Sequence, residues 1–376
     1  MSANAVESRQ SVKVPQGTFA ARGKISMESV TSMENGLGAT SADRIHSEKD
    51  VRPKVSVIVV TYCSREEIPA CIASLREQTV PVEIFLVDNA SPDDTAQMVR
   101  EYAQRFENVH AIFNKDNVGL AGGNNAPLGK CQGDYVLILN PDTLVRNDTL
   151  ARLAAFLDQN PDVVVVGPKN LYSDGKPHSS FHRGWGLWHV LLWRILPFRL
   201  TRAFYDRFSN YEQQDKLFVS GACLMIRRNI FDSIGGYDPE YFLTVEDACD
   251  LCIRARKAGG RVVFLPDAEV VHIGGRSGAH AIYIVVWQGY YGSVYHFLKH
   301  KGRAQSILVL TVLLMSSGLR CLIASVFGIF SRKYRDIARI YGRVFLSLLV
   351  RNPMRTRGLR LSGSAGERAR FDGASF

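Results

Sequence analysis

The stretch Tyr135-Val136-Leu137-Ile138-Leu139-Asn140-Pro141-Asp142-Thr143 decides the fold. Its first five residues are apolar or aromatic without a break. That is the pattern of a strand buried on both faces, as in a parallel sheet. Pro141 has no backbone donor and stops the ladder, so Asn140 and Asp142 sit where the chain leaves the sheet. Ligands of open α/β sheets bind at the carboxyl ends of the strands. A carboxylate presented there suits a hard divalent cation and, through it, a diphosphate. Asp142 fits equally well as the cap of a helix starting near Leu144.

Upstream, Val55-Ser-Val-Ile-Val-Val60 reads as a first strand, rich in β-branched residues. Thr61, Tyr62, Cys63 and Ser64 follow at its carboxyl end, then a helical pattern through Ile68, Cys71, Ile72 and Leu75. Val82–Val87 repeats the unit and ends in Asp88-Asn-Ala-Ser91. Successive strand–helix units predict right-handed crossovers and a parallel sheet. Asp88 can accept the N3–H of a uracil or thymine ring, and it also suits a turn or helix cap. A third strand, Val109–Phe113, leads into Asn114–Asn125, which we read as a loop. Its three glycines let backbone approach a ligand closely. It matches neither G-x-G-x-x-G nor a P-loop, which disfavours a dinucleotide or Walker site. A short helix is expected at Leu128–Cys131.

Downstream, Leu150–Leu157 reads as a helix and Val163–Gly167 as a buried strand. From Asn170 to Asp215 the periodicity weakens, as in an acceptor-facing insertion or lid, and Trp185, Trp188 and Trp193 there suit stacking on a sugar, contact with lipid or packing under the loop alike. Leu217–Ile226 reads as one strand with Ser220, Gly221 and Ala222 at its centre, small enough for something to lie close above them. Glu246 and Asp247 open a helix running to Ala258, with Asp250 on the same face as Asp247. Acids at a helix start are stabilising in any case. Two like charges there are also expected to raise each other's pKa, as suits a general base. Val262–Leu265 and Glu269–His272 are expected as two closing strands. His272, before a Gly-rich loop, is a ligand candidate.

Charge is uneven along the 376 residues. The net charge is +10, and His296–Phe376 carries 15 Lys and Arg against 3 Asp and Glu, leaving 31 against 33 for the rest. Residues 1–50 are poor in large apolars and read as a disordered arm with no signal peptide. Seven scattered cysteines do not suggest a disulfide framework. Cys249 and Cys252 have CxxC spacing but no second pair, so we read two thiols on a packed helix. In the C-terminal region, Ile307–Met315 is too short to span a bilayer, and Arg320 interrupts the apolar residues beyond it. Ile337, Ile340, Tyr341, Val344, Phe345 and Leu348 recur at helical spacing opposite Arg335, Arg339 and Arg343. Such helices lie in an anionic membrane interface or dip into it; a helical subdomain packed on the sheet is the alternative. No nucleic-acid motif accompanies the basic charge.

Taken in order, Val57–Tyr62, Val87–Ser91, Asn114–Asn125, Asn140–Thr143, Val219–Arg228, Gly235–Asp250 and Pro266–Ser277 resemble the family 2 glycosyltransferases, most of all the bacterial rhamnosyltransferase-like subgroup. The resemblance implies an α/β fold of GT-A type: a mostly parallel central sheet with helices on both faces, plus a C-terminal amphipathic helical region. The expected organisation is an arm over 1–50, a catalytic domain over 51–280, a membrane-associating helical region over 281–355 and a basic tail over 356–376. The resemblance further implies that Thr61 and Tyr62 flank the nucleotide base and Asp88 binds it. Asn117, Gly119 and Asn140 lie along the donor. Asp142 is the metal-binding acid of an Asp-x-Asp-like motif, and His272 approaches the metal or the diphosphate. Asp247 is the catalytic base.

The implied cofactor is Mg2+ or Mn2+. The implied partners are a dTDP- or UDP-sugar, with rhamnose as the candidate sugar, and a glycan or lipid-linked acceptor at the cytoplasmic face of a bacterial inner membrane. A nucleotidyltransferase and a non-catalytic nucleotide- or glycan-binding protein are the alternatives. Two departures stand out: the family commonly has Asn where this chain has Cys63, and Glu-Asp-x-Asp where this chain has Glu246-Asp-Ala-Cys-Asp250. The extra residue turns the second carboxylate by about 100° on a helix.

Overall fold

The computed structural model describes residues 52–146, 148–178, 180–182, 186–188, 190, 214–215, 218–244, 246–273 and 282–354. The N-terminal arm, Trp185, Trp193, most of the 170–215 insertion, the Gly-rich loop after Ile273 and the basic tail lie outside them.

Strands β1 (Val55–Thr61), β2 (Val82–Asp88), β3 (Val109–Phe113) and β4 (Tyr135–Leu139) form the parallel half of the sheet. Helices α1 (Ile68–Arg76), α2 (Thr95–Arg105) and α3 (Gly119–Asn125) connect them. Then come β5 (Thr143–Val145), α4 (Thr149–Gln159), β6 (Val163–Leu171), the short β7 (Phe181–His182), β8 (Gln214–Asp215) and β9 (Phe218–Val219), β10 (Cys223–Arg227), α5 (Arg228–Ser233), α6 (Glu246–Lys257) and β11 (Arg261–His272). The strand order is β3-β2-β1-β4-β10-β6-β11-β5.

The sheet is mixed. β10 runs antiparallel to both β4 and β6, and β5 antiparallel to β11, whereas β6 and β11 are parallel. The parallel half is legible in the sequence because β1, β2 and β3 are each followed by a helix. The reversal at β10 is not, because a strand buried on both faces looks the same in either direction.

Every residue of β1 is buried. Ile58 and Val60 pack with Val87, Val136, Ile138, Ala121, Phe231 and Leu251 on one side of the sheet. Val55, Val57 and Val59 pack with Ile72, Leu75, Val99, Leu150 and Leu153 on the other. Helices α1, α2 and α4 therefore cover one face, and α3, α5 and α6 the other. Each fully buried aliphatic side chain contributes about 1.5–3 kcal/mol.

Five local expectations change. Gly119–Asn125 is helix rather than loop, and 126–130 is turn rather than helix. The expected strand over 217–226 breaks at Ser220–Ala222 into β9 and β10. The two closing strands are one, β11, with a register shift between Leu265 and Glu269 at Pro266. No helix starts near Leu144; Thr143–Val145 is a strand, so Asp142 is not a helix cap.

Three long helices complete the described chain: α7 (Ile282–His300), α8 (Arg303–Gly328) and α9 (Arg332–Val350). The run at 307–315 and the one after Arg320 belong to a single 26-residue helix, with mean hydropathy 2.2 in its apolar window. By length and composition it can cross a membrane, about 39 Å at 1.5 Å per residue. Arg320 does not interrupt it, because its guanidinium turns inward to the Tyr341 hydroxyl of α9 at 3.1 Å. One stripe of α8, Val309, Leu313, Ser317 and Ala324, is buried. Leu319, Leu322, Ile323, Val326, Phe327 and Phe330 are exposed.

Candidate active site

The carboxyl ends of β1, β2 and β4 mark one rim of the sheet. The antiparallel register Cys223↔Leu139 brings the start of β10 to the same rim, and the parallel pair β6–β11 ends there too. Asp88, Asp142, Gly221 and His272 thus share one edge, although the chain visits them far apart.

Thr61 and Asp88 are register partners at that edge. The buried Thr61 hydroxyl donates to Val87 O at 3.1 Å, so it is spent on the sheet. Tyr62 is half-buried, its amide donating to Ser64 Oγ at 3.2 Å. Cys63 adopts φ 51°, a left-handed conformation that Asn tolerates far better. The departure from the family's Asn therefore falls where the backbone favours Asn. The Asp88 carboxylate is buried. Oδ2 accepts the Ser91 N–H at 3.2 Å, and Oδ1 has no hydrogen-bond partner among the described residues. An unpaired acceptor at a strand end is what a base N–H can satisfy.

Sequence reasoning missed Asn89. Its amide donates to Gly119 O at 2.8 Å and accepts from Asn114 at 2.7 Å, tying β2 to the Asn-rich segment. Asn117 Oδ1 accepts the Gly119 N–H at 3.0 Å. Gly119 has φ +77°, and a Cβ there would fall 2.4 Å from Phe242 O. Leu120 N–H donates to that same oxygen at 2.6 Å. Asn125 pairs with both main-chain groups of Tyr237, at 2.7 and 2.8 Å. In this structure Asn117 and Gly119 lock α3 against the segment that leads into α6.

Asn140 leaves β4 with its N–H on Ala222 O at 3.0 Å. Asp142 is 5 % exposed, and its main-chain oxygen accepts the Ile273 N–H at 3.0 Å. Across the β5–β11 pair Thr143 faces His272, so His272 Nε2 comes to 3.3 Å from Asp142 Oδ1. His272 Nδ1 has no hydrogen-bond partner among the described residues, and the His178 ring lies edge-on at 5.3 Å. Among the described residues no group of three or more His, Cys, Asp or Glu is gathered. The donor set is one carboxylate and one imidazole. It fits a divalent cation whose other positions are filled by diphosphate oxygens and water. Burial pushes the nearby Cys71 thiol up to about 12, and the Asp142 charge adds to it.

Helix α6 begins at Glu246 with both acids buried. Asp247 Oδ1 accepts the Ala248 N–H, and Oδ2 has no partner among the described residues. Burial raises the Asp247 pKa to about 8, and the charges of Glu246 and Asp250 push the same way. The small residues of 220–222 have their explanation here: a Cβ on Gly221 would meet Ala248 Cβ at 3.2 Å and lie 3.9 Å from Asp247 Oδ1. The element that lies close above the kink is α6 itself.

Asp250 is a correction. It does not share the base's raised pKa. Burial alone would raise it. However, the His300 hydrogen bond at 2.7 Å, Arg254 at 2.7 Å and Lys299 at 2.6 Å hold it well below the usual carboxylate range. Its work is to clamp α7 onto α6. Ser293 of α7 adds a hydrogen bond to Glu246. These α7 contacts were not read from the sequence, although Gln288, His296 and His300 recur at four-residue multiples in an otherwise apolar helix. Cys249 and Cys252 are free and buried in the same helix, as their spacing suggests.

A mixed sheet with this rim is that of a glycosyltransferase fold of GT-A type. The chain belongs to glycosyl transferase family 2, whose family model matches residues 56–235. The N-acetylglucosaminyl-diphospho-decaprenol L-rhamnosyltransferase of Mycobacterium tuberculosis is 32 % identical over 243 residues, covering 59 % of this chain and 76 % of that protein. The low-salt glycan biosynthesis hexosyltransferase Agl10 of Haloferax volcanii is 26 % identical over 222 residues, covering 58 % and 66 %. Among solved structures, the mannosyltransferase PcManGT from Pyrobaculum calidifontis in complex with GDP-Man and Mn2+ is 20 % identical with a TM-score of 0.48, covering 87 % of this chain and 94 % of that one. The nucleotidyltransferase alternative falls with the family assignment.

Proposed function

We propose that this glycosyltransferase moves a sugar, with rhamnose the first candidate, from a dTDP- or UDP-sugar to a lipid-linked saccharide in bacterial surface glycan synthesis, with inversion. The observation that carries the reading is the meeting of Asp88, Asp142, Asp247 and His272 at one rim, with Asp88 Oδ1, Asp247 Oδ2 and His272 Nδ1 all lacking partners among the described residues. The likeness to the mycobacterial rhamnosyltransferase supports the choice of sugar and acceptor class.

Asp88 receives the base N3–H. Asp142 and His272 would hold the cation; the imidazole nitrogen favours Mn2+ over Mg2+. Bound there, the cation supplies Lewis-acid stabilisation of the charge that grows on the departing diphosphate. Asp247 Oδ2 takes the proton of the acceptor hydroxyl, whose oxygen attacks the anomeric carbon from the face opposite the diphosphate. A positioned base of this kind contributes about 10² to 10⁴ in rate. The exposed apolar face of α8, with Arg332, Lys333, Arg339 and Arg343 of α9 nearby, rests on the anionic inner leaflet and brings the lipid-linked acceptor to the rim.

The test incubates the protein with dTDP-rhamnose and UDP-sugars, a lipid-diphosphate N-acetylglucosamine acceptor and Mn2+, and detects the product by mass spectrometry. Transfer from one donor with an inverted linkage supports the reading. Binding of no nucleoside diphosphate, with or without cation, would reject it.

A further inference from the structure

Helix α7 turns one polar stripe, Gln288, Gly292, His296 and His300, toward the catalytic helix. Two of these positions are explained, and His296 in part, since its Nε2 has no hydrogen-bond partner among the described residues. His300 pairs with Asp250. His296 is buried and held neutral, its pKa lowered to about 3 by burial and by the neighbouring His300 charge, and its Nδ1 lies 3.5 Å from the Tyr241 hydroxyl. Gly292 makes room, since a Cβ there would come 2.7 Å from Thr244 Cγ2.

Gln288 is not explained. It is fully buried, yet neither its amide nitrogen nor its oxygen has a hydrogen-bond partner among the described residues. The same holds for Thr244 Oγ1 and Trp287 Nε1. Natural proteins leave few such groups, and an amide with both ends unmet is rarer still. The described residues supply no partner for it.

Register says where the amide sits. Helices α6 and α7 run in the same sense: Ser293 meets Glu246, and His300, further along α7, meets Asp250, further along α6. Moving toward the start of α7 therefore moves past the start of α6, the end that carries Asp247. Gln288 lies four residues beyond Gly292 in that direction, about 6 Å along the axis. Asp247 Oδ2, Thr244 Oγ1 and the Gln288 amide are the unmet polar groups that this end of the two helices carries.

We propose that Gln288, with Thr244, forms the subsite that grips the acceptor saccharide beside Asp247, through a group offering one hydrogen-bond donor and one acceptor together. This rests on the transferase reading above. An acetamido group presents its N–H and C=O to a primary amide in that way, and a pair of neighbouring hydroxyls does the same.

The experiment compares full-length wild type with Gln288→Leu, which keeps the volume and removes the amide. Acceptors are a short-chain lipid diphosphate carrying N-acetylglucosamine and the same lipid carrying glucose. Gln288→Leu raises the acceptor KM about ten- to a hundredfold. Its nucleoside-diphosphate affinity holds, and its Tm is equal or higher because an unmet buried amide is gone. A penalty confined to the N-acetylglucosamine acceptor assigns the contact to the acetamido group; an equal penalty on both assigns it to hydroxyls. A wild-type acceptor KM in the variant overturns the subsite alone, as does a fall in Tm together with donor affinity. A wild-type protein that binds no nucleoside diphosphate brings down the transferase reading and the subsite with it.

Discussion

His272 Nε2 lies 3.3 Å from Asp142 Oδ1 because Thr143 and His272 are register partners across β5 and β11. Ile273 N–H closes the same corner on Asp142 O. A one-residue slip of β11 would turn the imidazole to the other face of the sheet. Asp142→Ala is therefore expected to weaken nucleoside-diphosphate binding by about ten- to a hundredfold when Mn2+ is present, and to leave the metal-free affinity alone. His272→Ala should cost more with Mn2+ than with Mg2+. Calorimetry with and without cation reads both, and an unchanged Mn2+-dependent affinity in Asp142→Ala would remove the carboxylate from the site.

Asp247→Asn should abolish transfer while keeping donor affinity, and should also stabilise the fold. The unfolded carboxyl ionises near its ordinary 3.8, the folded one only near 8. Stability is therefore lost as pH rises from about 4 to 8, and Asn escapes that loss. The gain near pH 8 is on the order of a few kcal/mol. Thermal unfolding at pH 5 and pH 8 tests it. A variant whose Tm advantage does not grow with pH would mean the carboxylate is already charged in the folded state.

The same group sets an acid limb for catalysis. Asp247 must be ionised to accept a proton, so kcat/KM should rise toward a pH near 8 and then level off. The neighbouring Glu246 and Asp250 are the charges that keep it high, after burial itself. A profile flat between pH 6 and 9 would move the base elsewhere.

Asp250→Ala strips one carboxylate from Arg254, Lys299 and His300. Removing one partner of a buried ion cluster costs about 3–5 kcal/mol. We expect a lower Tm and faster hydrogen exchange in α7, with Asp247→Asn in the same background showing no further exchange. Exchange in α7 equal to wild type would show that the clamp is not needed.

Leu322 and Val326 lie one turn apart on α8, 64 % and 54 % exposed. Changing both to Glu places two charges on the face assigned to lipid, at a cost on the order of 2–3 kcal/mol each if that face is deeply inserted. The double variant should leave the membrane fraction in flotation assays on anionic vesicles while keeping nucleotide binding. Continued flotation would place the lipid contact on another surface.

Residue order alone is enough to locate the strands and much of the rim. Val55–Thr61, Val82–Asp88 and Tyr135–Leu139 announce double burial through apolar runs broken only by Ser56 and Glu83, and a polar residue ends or directly succeeds each run, which marks the edge where ligands bind. Asp88 and Asp142 stand at or just after such strand ends, whereas Asp247 stands at a helix start and its expected role came from the family resemblance. Other features exist only in three dimensions. The reversal of β10, the ion clamp on Asp250, the continuity of α8 through Arg320 and the burial of Gln288 all depend on partners remote in the chain. Periodicity records how deeply a residue is buried, but not which neighbour buries it. The charge state of an acid such as Asp247 or Asp250 is set by those neighbours, so the same residue type, three positions apart on one helix, ends with its pKa shifted in opposite directions.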